Sequence, residues 1–232
     1  MLEKFTFMGE ARLQIRYDFV NKSILNEQRK HLTCNIKRCL HRSPELLKNL
    51  PLEPLLFVKP TSSFIGEGQK IKVPRGCSDL KQEVELGVVI GDRYDQNAKG
   101  RALNYVAGYV LALDMTADDL LAKARQLGNP WFLAKGFDGS CPVSDFIPKE
   151  CITDPQNITL WCKVNGVLKQ NEKTSSMIFD IEQLMKYASN FVTLEAGDVL
   201  LTGTPPGMCS VKPGDIIECG LGEIMKMKFV VE

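Results

Sequence analysis

The stretch "KQEVELGVVIGD", Lys81 to Asp92, decides how the chain is read. Leu86 to Ile90 is an unbroken apolar run bounded by glycine and aspartate, which predicts a buried strand. In a strand, residues two apart share a face, so Glu83, Glu85, Gly87 and Val89 point the same way. That face passes from charged to small to apolar and aims two carboxylates along a line into the interior.

Working outward, short strands separated by Gly/Pro turns recur from Leu55 onward: "LLFVKP", "KIKVP", "VELGVVIG", "YVAGYVLALD", "NITLWCKVNG", "DVLLTGTPPG", "DIIECG" and "EIMKMKFVVE". The last alternates with Met225, Met227, Phe229 and Val231 on one face. Thr116 with Asp119, and Asp180 with Gln183, have capping-box spacing. They predict helices running to about Arg125 and from Ile181 to about Phe191, the second presenting Leu184, Tyr187 and Phe191. Strands outnumber helices and seldom alternate with them, so the expected class is mostly β (α+β) rather than doubly wound. Residues 1–52 read as an arm of undetermined fold, and residues 53–232 as one β-rich domain.

Composition narrows the function. A formal net charge of +1 over 232 residues gives no electrostatic footprint for nucleic acid or an anionic membrane. The apolar run "VAGYVLAL" is far shorter than the ~18 residues that span a bilayer. Eight cysteines without a C-x-x-C pair read as reduced thiols, and two histidines make an imidazole-built zinc site unpromising.

A pair of glutamates on a strand is usually a solvated edge. Asp114 changes that reading, because it ends the apolar strand "YVLALD" just ahead of a helix whose cap is expected to be Thr116. Three carboxylates gathered together repel and raise one another's pKa, and a divalent cation resolves the conflict. Oxygen donors without His or Cys suit a hard ion, Mg²⁺ or Mn²⁺. Lys135, after "PWFLA", either snorkels to water or supplies a fixed cation for a substrate carboxylate. "LLTGTPPG" is either a tight turn or a place where the Thr204 hydroxyl and nearby N–H groups hold an anionic oxygen.

Together "EPLLFVKPTSS", "EVELGVVIG", "ALDMTA", "PWFLAKGFD", "CPVSDFIP", "KVNG", "TSSMIF" and "LTGTPPG" resemble the fumarylacetoacetate hydrolase family. The likeness is to its single-domain branch of acylpyruvases, oxaloacetate decarboxylases and oxaloacetate tautomerases, and covers Glu53 to Glu232. It implies a rolled mixed β-sheet, usually a homodimer, in mitochondria or cytosol. It implies Mg²⁺ or Mn²⁺ at Glu83, Glu85 and Asp114, with Lys135 and Thr204 at the carboxylate of a small 2-oxo acid. The chemistry it implies passes through a metal-stabilised enolate. The chain departs from that pattern in three places. In "IKRCLHRSPE", Glu45 falls on the position of the family's lid glutamate, but Arg42 takes that of its histidine; His41 lies one residue early, about 100° away around a helix. Asp118 and Leu121 stand where an Arg and a Gln hold substrate. "PPGMCSV" replaces the usual Gly-Val-Gly turn. Water-dependent hydrolysis should suffer most, and three readings stay open: a metal-dependent enzyme, a weakened relative that binds metal and 2-oxo acids or regulates an active partner, and a structural domain.

Overall fold

The computed structural model describes the backbone of residues 33–37 and all of residues 51–232. His41, Arg42 and Glu45 lie outside the described residues. Among the described residues fifteen strands and three α-helices follow in chain order. The strands before the first helix are β1 (Thr33–Lys37), β2 (Leu55–Lys59), β3 (Phe64–Ile65), β4 (Leu80–Gln82), β5 (Val84–Ile90), β6 (Val106–Leu113) and β7 (Thr116–Ala117). Helices α1 (Asp118–Leu127) and α2 (Phe132–Lys135) precede β8 (Cys141–Pro142), β9 (Ile147–Pro148), β10 (Thr159–Val164) and β11 (Val167–Lys173). Helix α3 (Ile181–Ser189) leads to β12 (Val199–Leu201), β13 (Cys209–Val211), β14 (Ile216–Leu221) and β15 (Met225–Val230).

A six-stranded mixed sheet runs β2-β1-β12-β5-β6-β9, and a four-stranded antiparallel sheet runs β11-β10-β14-β15. Two small sheets, β13-β4-β7 and β3-β8, close the gaps. This is the expected mostly-β class with short helices. β1 falls within the segment read as an arm, yet it is hydrogen-bonded between β2 and β12.

β5 is buried along its whole length. Val84, Leu86, Val88 and Ile90 face the main core shared with β10, β14 and β15. On the other face, Val89 packs with Val110, Ala112, Val199 and Leu201. Gly87 sits on that second face because there is no room for more: a Cβ would come within 2.6 Å of Val110 Cγ2 and 3.1 Å of Leu201 and Val199 methyls. Met227, Phe229 and Val231 are buried on one face of the C-terminal strand, with Met225 packed against them, as the alternation predicts.

Three local expectations need correction. "KIKVP" makes only an isolated bridge, Ile71 to Val231, rather than a strand. β11 and the short strands were not legible. Thr116 does not cap α1, whose N-cap is Ala117 without a side-chain bond. Thr116 belongs to β7, opposite Lys81, and its side chain turns inward. Helix α3 does begin with the Asp180–Gln183 capping box. It buries Ile181, Leu184, Met185 and Ala188, while Phe191 lies past its end and is 67% exposed.

Candidate metal centre

The register of β5 on β6 builds the site. Val84 pairs with Leu113, so the next rung places Glu83 opposite Asp114, and the Asp114 N–H donates to the Glu83 carbonyl at 2.8 Å. Glu85, one pleat along, falls on the same face. One oxygen from each of Glu83, Glu85 and Asp114 lies within 4.8 Å of the others. All three side chains are at most 1% exposed. Among the described residues this is the one such grouping of His, Cys, Asp or Glu that could hold a metal ion.

Like charges directly opposite in a ladder destabilise it, and burial deepens the conflict. Two buried lysines answer it. Lys135, at the end of α2, directs its ammonium to Asp114 Oδ2 at 2.5 Å, Glu83 Oε2 at 3.2 Å and the Thr116 hydroxyl. Lys59, the last residue of β2, donates to the carbonyls of Met115 (3.2 Å), Ser140 (2.9 Å) and Lys135. Its Nζ also lies 2.8 Å from Asp114 Oδ1. An ammonium has three protons, and three carbonyls engage those of Lys59. Asp114 Oδ1 is a fourth acceptor around those three protons and is held chiefly by the charge of Lys59. Thr116 completes the cluster by donating to Glu83 Oε1 at 2.9 Å.

Three carboxylates and two ammoniums, all ionised, leave one unit of negative charge. The strain falls on Glu85: burial, then the charges of Asp114 and Glu83, raise its pKa well above the carboxylate range. Its Oε2 accepts the Gly203 N–H at 2.7 Å. For Asp114, burial pushes upward, but Lys135 and Lys59 outweigh it and hold the pKa below the ordinary value. Burial draws Lys59 down against the pull of Asp114. Lys135 is buried too, but Asp114 and Glu83 lift it above its usual value. The donor set fits a hard divalent cation: oxygen only, buried, and with one unit of negative charge in excess when every group is ionised.

The remaining expected residues lie around this cluster. Lys135 does not snorkel; it is fully buried against the carboxylates. The Thr204 hydroxyl donates to the Val84 carbonyl at 2.8 Å and accepts from Gln170 Nε2 at 2.8 Å, so its proton is committed within the protein. Asp118 faces Lys81, 2.6 Å away, which offsets the acid expected to oppose an anionic ligand. Leu121 is fully buried hydrocarbon. Phe57 and Trp131 pack 6.0 Å apart beside the site, with Lys135 Nζ 4.9 Å from the Phe57 ring centre. A separate cleft of about 670 Å³ lies elsewhere, between β3, the turn after β8 and β15. The cysteines of residues 51–232 form no disulfide, and burial raises the Cys141 thiol to about 12. No helix among the described residues is long and apolar enough to cross a membrane.

Lys59 and Gln170 were missed from sequence. A lysine ending "LLFVK" and a glutamine in an otherwise outward strand give no one-dimensional sign of burial.

Residues 25–232 match the family described as fumarylacetoacetate (FAA) hydrolase C-terminal. An oxaloacetate tautomerase, mitochondrial, of Caenorhabditis elegans is 50% identical over 188 residues, covering 81% of this chain and 88% of that one. An oxaloacetate decarboxylase, mitochondrial, of Dictyostelium discoideum is 48% identical over 178 residues, covering 76% and 82%. The crystal structure of fumarylpyruvate hydrolase from Pseudomonas aeruginosa in complex with Mn²⁺ and pyruvate superposes with a TM-score of 0.79 at 25% identity, covering 87% of this chain and 89% of that one.

Proposed function

The chain belongs to the fumarylacetoacetate hydrolase family, and from that premise we propose a divalent-cation-dependent enzyme acting on a 2-oxo acid, oxaloacetate or an acylpyruvate. Glu83, Glu85 and Asp114 would hold Mg²⁺ or Mn²⁺. The observation that carries the reading is the convergence of three buried carboxylates with two buried ammoniums. The bound cation supplies Lewis-acid chemistry, taking up negative charge as it develops on the 2-oxo oxygen.

The chain's own residues set the charge that such a substrate meets. With a divalent cation held by Glu83, Glu85 and Asp114, the ionised cluster would carry one unit of positive charge, which a single substrate carboxylate would neutralise. Lys135 is the cation nearest to hand for that carboxylate, and reaches it by exchanging one of its bonds to Glu83 or Asp114. Lys59 keeps Asp114 ionised throughout, and Thr116 fixes the carboxylate plane of Glu83. Thr204 lines the same end of β5. By the family resemblance Glu45 is the candidate for proton transfer, with His41, one residue out of register, beside it. The names of the worm and slime-mould relatives support oxaloacetate as substrate and a mitochondrial location, and the pyruvate in the Pseudomonas complex is itself a 2-oxo acid. A homodimer is proposed from the family resemblance.

A second reading, a weakened member that binds metal and 2-oxo acids or regulates an active partner, is favoured by two positions. Leu121 offers no hydrogen bond, and Asp118 is engaged by Lys81. One experiment separates the readings: purified protein with Mg²⁺ and oxaloacetate, followed by enol absorbance and pyruvate formation. Turnover above Mg²⁺ in buffer, abolished in Glu83→Ala, supports the enzyme. Background reactivity with oxalate still bound in calorimetry selects the second reading, and no Mn²⁺ or oxalate binding rejects both.

A further inference from the structure

Gln170 is the single buried residue of β11, whose other side chains are exposed or half-exposed. It crosses from the four-stranded sheet to the start of β5, which follows directly on Glu83 and carries Glu85. Its Oε1 accepts the N–H of Val84, the residue between Glu83 and Glu85, at 3.2 Å. Its Nε2 donates to Thr204 Oγ1 at 2.8 Å and to the Pro205 carbonyl at 2.6 Å. Thr204 in turn donates to the Val84 carbonyl. Val84, Gln170 and Thr204 thus form a closed ring in which every donor has one acceptor. Turning the amide over would face its NH₂ to the Val84 N–H and its oxygen to the Pro205 carbonyl, so the ring admits one orientation.

The same turn supplies the Gly203 N–H that holds Glu85 Oε2. It is laid directly on β11: Gly207 has φ +104°, and a Cβ there would lie 2.0 Å from the Lys169 carbonyl oxygen. From this geometry we infer that Gln170 is a positioning residue of the site, aligning the 202–205 turn with residues 83–85, whose ends are the two glutamates. The inference rests on the metal-centred reading above. It makes Gln170 act through Glu85 and Thr204 rather than by touching cation or substrate.

Gln170→Met keeps the side-chain shape and removes all three bonds. Groups outside the ligand shell typically contribute about 10-fold or more to metal affinity. The expected result is Mn²⁺ binding, measured on the protein with Mn²⁺ alone by paramagnetic resonance of the free ion, weakened by about 10-fold, with KM for oxaloacetate raised more than kcat is lowered. Thr204→Val opens the same ring from its other side and should weaken Mn²⁺ binding similarly. The double variant should cost little beyond either single change, because one unit is broken once. If Gln170→Met does not fold, Thr204→Val alone decides. Variants that only lower the urea midpoint, with Mn²⁺ affinity and KM unchanged, overturn the inference. Wild-type protein that binds no Mn²⁺ overturns the metal reading and this inference with it.

Discussion

Replacing Lys59 by methionine tests the charge balance of the site. The side chain is fully buried, so methionine fills much of its volume while removing the ammonium. Two losses follow. The carbonyls of Lys135 and Ser140 keep the Ser140 hydroxyl and the Met115 N–H, but that of Met115 loses its side-chain donor, and an orphaned buried acceptor costs about 1–3 kcal/mol. Asp114 loses one of its two cations, and breaking a buried pair costs about 3–5 kcal/mol. These costs overlap, since water entering the gap relieves both, so roughly 4 kcal/mol is expected. With a urea slope of about 2–3 kcal/mol/M, the midpoint should fall by roughly 1.3–2 M. The sign of the metal effect is the sharper test. Without Lys59 the ionised cluster carries two units of negative charge instead of one. Mn²⁺ should therefore raise the urea midpoint of Lys59→Met by more than it raises that of the wild type. An unchanged midpoint, or a smaller Mn²⁺ effect in the variant, would refute the reasoning.

Two further outcomes follow from local geometry. Gly87→Ala forces a methyl to within 2.6 Å of Val110, and overpacking of this kind costs about 1–3 kcal/mol; thermal unfolding should register it, with Mn²⁺ affinity falling as Glu85 shifts. For Asp119 burial raises the pKa, but bonds from the Ser78 hydroxyl, the Ser78 N–H and the Leu120 N–H outweigh it and leave the value lowered. A lowered carboxylate pKa contributes stability above the unfolded value of about 3.9, and that contribution disappears as pH falls through the folded value. Urea midpoints of Asp119→Asn should therefore lie below wild type at pH 6 and converge on it toward pH 3.

The buried strand and its glutamates were legible because β5 is apolar on both faces, and only an interior strand reads that way. Asp114 was legible for a related reason: a carboxylate ending an apolar run has to be compensated. Thr116 was misread because sequence spacing cannot tell a cap from an inward strand residue; pairing with Lys81 decided it. Lys59 and Gln170 escaped because their burial depends on partners 34 to 86 residues away in sequence. Phe191 was drawn into α3 by periodicity, but the helix stops at Ser189 and leaves the ring outside.

The seat of β1 sets the order in which the molecule can be completed. Thr33 to Asn35 pair in parallel with Val199 to Leu201, which leave the ribosome only after most of the chain has been made. Until then the six-stranded sheet has a gap at its centre, and an unpaired strand edge in a nascent chain invites association with other chains. Slow translation or a late truncation should therefore produce aggregates rather than a stable fragment, and chaperone demand should be greatest just before residue 199 emerges.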